Sequence, residues 1–256
     1  MMDRAQDFLT TIEAKGLFDR RKLLKNQQQS TPEHMQFLLE AVDTTLKERV
    51  ALLKAPPESV LNYGSHKGMT GQWLASAPAY QEFKMPDFDL IEGAPESVDV
   101  FYSCLNFHKS NHLASTFEQV KTILKPKGAF VGALFGEYTL HELKDCFIKA
   151  ESDAGAKPHV HPFRSLDDVV SLLRQTGFDM PVVDRDQIVV QYETLPDLFD
   201  DLKSLGETNA LKERFKGMTP LSLFAKVEEI YKKEYVHSDG TLPVTFDVIY
   251  VTGWKV

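Results

Sequence analysis

The chain has 256 residues, 43% of them apolar and 26% charged, enough for one large α/β domain with a real core, or for such a domain with an added lobe. Its formal net charge of −8 argues against general affinity for nucleic acid, which needs Lys and Arg clustered against phosphate. Cys104 and Cys146 are the only cysteines, too few for a disulfide framework or a cysteine metal cage, and no apolar run approaches the ~18 residues of a membrane-spanning helix.

Residues 1–30 form a polar, charged leader, read as a helix followed by a loop. It holds no apolar signal segment, and its Asp3, Asp7, Glu13 and Asp19 are unlike a transit peptide, which is poor in acids. The chain therefore reads as cytoplasmic, or as a matrix protein if its source is a eukaryote. From Thr31-Pro32-Glu33, Phe37, Leu38, Ala41 and Val42 recur at helical spacing, and the helix is expected to stop before Pro56-Pro57. Ser59–Tyr63 reads as a strand running into a loop at Gly64–Gly68, followed by a helix over 70–75 and a short strand at Phe83–Met85. Val98–Ser103 is a better marked strand, and 112–124 a helix with Leu113, Phe117, Val120, Ile123 and Leu124 on one stripe. Lys125-Pro126-Lys127-Gly128 predicts a turn, and Ala129–Phe135 a central strand covered on both faces. Helices are expected at 139–150, 165–175, 196–205 and 222–235, with β-rich segments at 182–190 and 246–251. This alternation predicts a parallel sheet wrapped on both faces.

In such folds the first strand commonly ends in a glycine-rich turn at the sheet's carboxyl edge, where a backbone without a Cβ can approach a ligand. Gly64 and Gly68 have that spacing, though an ordinary strand-to-helix turn would look the same. Asn62-x-Gly-x-x-x-Gly resembles the signature of class I S-adenosylmethionine (SAM) methyltransferases, in which an acid precedes a Gly-x-Gly-x-Gly turn. The resemblance implies a Rossmann-like class I sheet and a SAM site that includes Asn62, Gly64, His66 and Gly68. It also exposes departures: Asn62 stands where an aspartate usually sits, His66 replaces the middle glycine, and Lys67 brings positive charge towards a sulfonium cation. Only 29 residues, Met69–Ser97, separate the loop from the next well marked strand, whereas one strand-helix-strand unit takes roughly 30. One strand and its helix, the β2/αB region, are therefore expected to be shortened or missing. Asp87 and Asp89 match the acidic site near the adenine in this family, with a solvated loop as the plain alternative.

Later segments resemble one subgroup more closely. Its landmarks are Leu17–Arg21, Ser103–His108, Ile123–Gly128, Gly132–Leu143, Pro158–Phe163, Gly206–Asn209, Asp239–Phe246 and Gly253–Lys255. They resemble the methyltransferase-type assembly factors of mitochondrial complex I, whose activity is arginine hydroxylation of a complex I subunit, together with α-proteobacterial relatives. The malonyl-acyl-carrier-protein methyltransferase of biotin synthesis is a more distant relative. The resemblance implies a respiratory complex I subunit as partner, a methyltransferase-like domain over 31–256, and substrate-lobe elements at about 136–165 and 191–245, the latter as α/β additions. Lys109 stands where the family usually has tryptophan, and Glu137-Tyr138 where it has a Gly-Asp pair.

His108, just past the carboxyl end of a central strand, is the candidate base or substrate partner; a plain polar strand end is the alternative. His159 and His161 alternate before Pro162, but no cysteine joins them at a zinc spacing, so no metal site is expected and a place in the substrate lobe is. Glu207 and Asn209 are suited to a guanidinium or polar group, or to capping a helix. Tyr192 joins the same lobe, as a core or lid aromatic. Three functions follow: a hydroxylase-like protein of complex I maturation, a pseudoenzyme that grips a partner protein without cofactor, or a methyltransferase acting on a small carboxylate or acyl-carrier substrate.

Overall fold

The computed structural model describes residues 16–84, 87–151 and 157–256; most of the forecast leader, and Met85 of the forecast second strand, lie outside the described residues. The elements are α1 (Arg20–Gln29), α2 (Gln36–Ala51), β1 (Ser59–Tyr63), β2 (Ala79–Phe83), β3 (Val98–Cys104), α3 (Leu113–Ile123) and β4 (Leu124–Phe135). They continue with α4 (His141–Ala150), α5 (Leu166–Gln175), β5 (Asp179–Tyr192), α6 (Leu195–Leu205), α7 (Leu221–Glu234) and β6 (Leu242–Trp254). Among the described residues, no helix is long and apolar enough to cross a membrane.

One six-stranded sheet has the order β2-β1-β3-β4-β6-β5. The first four of these strands run parallel, but β6 is antiparallel to both β4 and β5. The expectation of a parallel sheet is corrected for this half: β5 and β6 pair along almost their whole length, from Asp179 opposite Trp254 to Tyr192 opposite Leu242. Alternate residues of the strands feed two cores. Val100, Tyr102, Val131, Ala133 and Phe246 face the layer of α2, α4, α6 and α7. Leu61, Phe101, Phe130, Leu134 and Val251 face α3 and α5. Burial on both faces is why β3, β4 and β6 read as near-continuous apolar runs.

Local chemistry sets several boundaries. Ser165 and Asp168 form a reciprocal capping box at the start of α5. Thr194 caps α6, Pro196 sits in its first turn, and Gly206 closes it. The turn expected at Lys125–Gly128 lies instead inside β4, as an irregularity where the pairing with β3 shifts register. The C-terminal tail explains this: Lys127 N–H donates to Lys255 O at 2.7 Å and Lys255 N–H to Gly128 O at 2.9 Å.

Between β1 and β3 the described residues hold one strand and one 3₁₀ turn, Gln72–Ser76, in place of the helix expected at 70–75. Asp43 of α2 draws the chain into that turn, accepting from Gly71 N–H at 2.8 Å, Trp73 Nε1–H at 3.0 Å and the Tyr102 hydroxyl. The second strand pairs at Ala79–Phe83, four residues before its expected start at Phe83, because alignment with β1 places Ala79 opposite Ser59 and Phe83 opposite Tyr63. Its Tyr80 hydroxyl then comes within 3.0 Å of Asn62.

Candidate functional site

The loops that follow β1, β3 and β4 meet at one edge of the sheet. Asn62 ends up sealed: its Nδ2 donates to Thr70 O at 2.8 Å and to the Tyr80 hydroxyl, while its Oδ1 is buried without a partner among the described residues. Gly71 lies over it, since a Cβ there would come within 2.6 Å of Asn62 Nδ2 and 2.9 Å of the Tyr102 ring. Gly64 has φ +84°, and the side chain of Asn106 fills the space a Cβ would need, with Nδ2 only 2.2 Å from that point. Asn106 Nδ2 also donates to Gly64 O at 2.8 Å, so the two loops are stitched together.

His66 and Lys67 both take positive φ, at 46° and 58°, a conformation that costs a non-glycine residue free energy. His66 reaches across the edge, with Nε2 2.8 Å from Cys104 O at the end of β3. Burial pushes its pKa down to about 4, helped by the nearby Lys109 charge. Lys67 Nζ donates to the carbonyl oxygens of Gln28 and Ser30, which ties the end of α1 over the loop. Favourable placement of a cation at a helix C-terminus adds to that tie. Gly68 has Glu82 Oε1 3.8 Å from its notional Cβ. Glu82, the penultimate residue of β2, thus brings an acid to the loop, and it carries no sequence signal because β2 lies earlier than its residues suggest.

Asp87 and Asp89 are committed to the backbone. Asp87 pairs with Arg20, and its Oδ1 accepts from the N–H groups of Asp89 and Leu90 at 2.9 and 3.0 Å. Burial opposes ionisation, but those N–H groups and Arg20 hold the Asp87 carboxyl below the usual range. Asp89 accepts from Ser110 Oγ at 3.0 Å, Asn111 N–H at 2.6 Å and Asn111 Nδ2 at 3.1 Å, stapling its loop to the turn after β3.

His108 and Lys109 lie on the 3₁₀ turn Phe107–Lys109 directly after β3, and both meet Glu207, which follows Gly206 at the end of α6. Lys109 Nζ is 2.5 Å from Glu207 Oε1, with both side chains 5% exposed. His108 Nε2 lies 3.1 and 3.2 Å from the two Glu207 oxygens, and its Nδ1 accepts from Phe135 N–H at 3.4 Å. That pattern makes His108 a neutral donor to the carboxylate, in keeping with the downward push of burial on its pKa. Burial works against ionisation of Glu207, yet Lys109 and His108 outweigh it and keep the carboxyl well below the usual range. His161 stands beside this group, accepting from Ala210 N–H at 3.2 Å, and burial lowers its pKa to about 4. Among the described residues, no three His, Cys, Asp or Glu side chains are grouped to hold a metal ion.

On the far side of this cluster opens a cavity of about 600 Å³. His159, His161, Glu207 and Asn209 line it together, as the substrate-lobe expectation grouped them; Tyr192 does not. Tyr192 donates to Asp201 at 2.9 Å on a separate acidic concavity with Glu193, Asp197 and Asp200. His159 stacks on Phe147 with ring centres 4.0 Å apart, and Asn209 Nδ2 holds Pro158 O at 2.7 Å. Lys22, Arg214 and Lys216 line the same cavity without having been marked from sequence. They come from α1 and from the segment before α7, and only the fold brings those together; Lys109 carried the one available signal, as a lysine where the resemblance implied tryptophan.

No family model matches the chain. Relatives are nonetheless clear. The chain is 30% identical to the mouse protein "Arginine-hydroxylase NDUFAF5, mitochondrial" over 96% of its own length and 79% of that protein. It is 28% identical to malonyl-[acyl-carrier protein] O-methyltransferase 1 of Coxiella burnetii, over 86% of this chain and 82% of that one. Among solved structures, a candidate methyltransferase of Bacillus halodurans superposes with a TM-score of 0.54 at 13% identity, covering 84% of this chain and 99% of that one. The likeness at that identity establishes the fold, a Rossmann-like methyltransferase sheet.

Proposed function

The chain belongs to the family of the mitochondrial arginine hydroxylase NDUFAF5, and from that premise we propose that it is a methyltransferase-like protein that works through its substrate-side cavity without SAM. The filled crevice carries this reading: the His66 imidazole against Cys104 O and the Asn106 side chain against Gly64 occupy the carboxyl ends of β1 and β3, where this fold places its ligands. The residues present do not fit the cofactor. Asn62 offers no charge to a methionine ammonium, and its one free acceptor is shut beneath Gly71. Asp87 and Asp89 are taken up by Arg20 and by backbone N–H groups. Glu82 remains as an acid at this edge, but it accepts from Gln72 Nε2 at 2.7 Å.

Arginine hydroxylation and SAM-dependent methylation are the competing readings. A guanidinium needs a carboxylate with free oxygen lone pairs, and Glu207, the carboxylate lining the cavity among its described residues, already receives Lys109 and His108. We read His108 accordingly as a positioning residue for the 206–211 segment, since both its ring nitrogens are engaged. A respiratory complex I subunit stays in this proposal as the partner protein, gripped at the cavity side. Calorimetric titration of the folded protein with SAM and with S-adenosylhomocysteine tests the central claim. No heat at millimolar ligand is expected, and micromolar binding of either would overturn it.

A further inference from the structure

The charge of the cavity runs against that of the molecule. The whole chain carries −8, yet the described lining holds three cations, Lys22, Arg214 and Lys216, and a single carboxylate, Glu207. Glu207 is neutralised by Lys109 behind the wall, and Arg214 by Asp19 at 3.0 Å. The ammonium groups of Lys22 and Lys216 make no hydrogen bond or ion pair with described residues. Lys22 is half-buried, and both burial and the neighbouring Arg214 charge press its pKa down. The nearby Asp19 carboxylate pulls the other way, but it bonds to Arg214 and to the Lys22 backbone N–H rather than to the Lys22 ammonium, so an anion beside that ammonium would relieve desolvation and the repulsion from Arg214 together.

Much of the remaining wall is aromatic, with Phe135, Phe147, Phe163, Phe199, Phe224 and Phe246 around the volume of about 600 Å³, and His159, His161, Asn209 and three threonines add polar groups. Phe215, half exposed, lies at the mouth with its ring packed 2.8 Å from the notional Cβ of Gly217. Such a pocket, apolar with a few convergent polar groups, is typical of a small-molecule site. We infer that the cavity binds an organic carboxylate, its head at the Lys22 ammonium and a medium-length apolar body between the phenylalanine rings. This rests on the reading of the cavity as the working site and names its ligand class. A cationic ligand is disfavoured, because it would meet unpaired lysines and a carboxylate that is already occupied.

The test compares probes that share a body and differ in the head. Decanoate, decan-1-ol and decylamine are titrated against the full chain by calorimetry, with acetate as the head alone. Decanoate is expected to bind about tenfold or more tighter than decanol, with decylamine and acetate silent, as one charge-assisted contact on an apolar pocket predicts. Lys22→Gln should weaken decanoate about tenfold and leave decanol unchanged, the decanol arm also reporting that the variant's cavity is intact. No binding of decanoate, equal binding of acid and alcohol, tighter binding of the amine, or a Lys22→Gln protein with an undiminished preference for decanoate would each overturn the inference. The SAM titration is read separately: SAM binding defeats the cofactor-free reading and leaves the carboxylate result to stand or fall by itself.

Discussion

Lys109 and Glu207 meet at 2.5 Å with both side chains almost wholly out of water, so each charge depends on the other. Removing one partner from such a pair typically costs about 3–5 kcal/mol, while replacing both by apolar groups is often neutral. Glu207→Gln is therefore expected to lower unfolding stability by about 3 kcal/mol or more, with Lys109→Met added to it restoring most of the loss. Urea denaturation of the two variants checks this, and a double variant no better than the single one would refute it. The histidines give a separate pH signature. His66 and His161 are held at about 4 by burial, against ~6.5 in an unfolded chain. Between these values the unfolded state binds more protons, so their contribution is complete above pH 6.5 and declines as pH falls towards 4. Stability should drop by about 1–2 kcal/mol per histidine from pH 7 to 5, and His161→Gln should flatten that slope by about one proton. Glu207 acts lower: its depressed carboxyl adds stability above the ordinary ~4.3 that is lost only as pH falls beneath it. Equilibrium melts from pH 7 to about 5 read the histidine window, and melts from about pH 4 to about 3 read that of Glu207.

The loop between β1 and the Gln72–Ser76 turn shows how an element can be legible in outline and hidden in detail. Strand β1 was placed residue for residue, because five buried residues end at a glycine. Gly64 and Gly68 did mark a turn, and the structure sets His66 Nε2 2.8 Å from Cys104 O at the end of β3. What no local pattern carries is the packing of the Asn106 side chain against Gly64, 42 residues away in sequence. The consequence is measurable. Gly64→Ala combines a positive φ with a side chain 2.2 Å from the new Cβ and should cost about 3 kcal/mol or more. Gly240→Ala, at φ +88° with nothing within 4 Å, should cost only the backbone share, about 1 kcal/mol. Equal losses in thermal melts would show that Asn106 yields freely. Strand β2 was misplaced by four residues for a related reason: its exposed, mixed residues have no periodicity, and only pairing with β1 sets its register. The 125–128 turn failed likewise, since the C-terminal tail supplies the hydrogen bonds that turn it into strand.

At the scale of the molecule, the sequence by itself determined the α/β class, most of the order of helices and strands, the shortened segment after β1 and the family likeness. These follow from hydrophobic periodicity, caps and turn residues, which act over a few positions. The tertiary structure alone decided that β6 inserts antiparallel between β4 and β5, since a strand buried on both faces reads alike in either direction. It alone gathered His108, Lys109, His161 and Glu207 into one cluster and set Lys22 beside Arg214 and Lys216 around a common cavity. Charges far apart in the chain are placed by how helices and loops pack. Whether a buried carboxylate is free to meet a ligand or already held by a lysine is a matter of ångströms in space, which spacing along the chain does not encode.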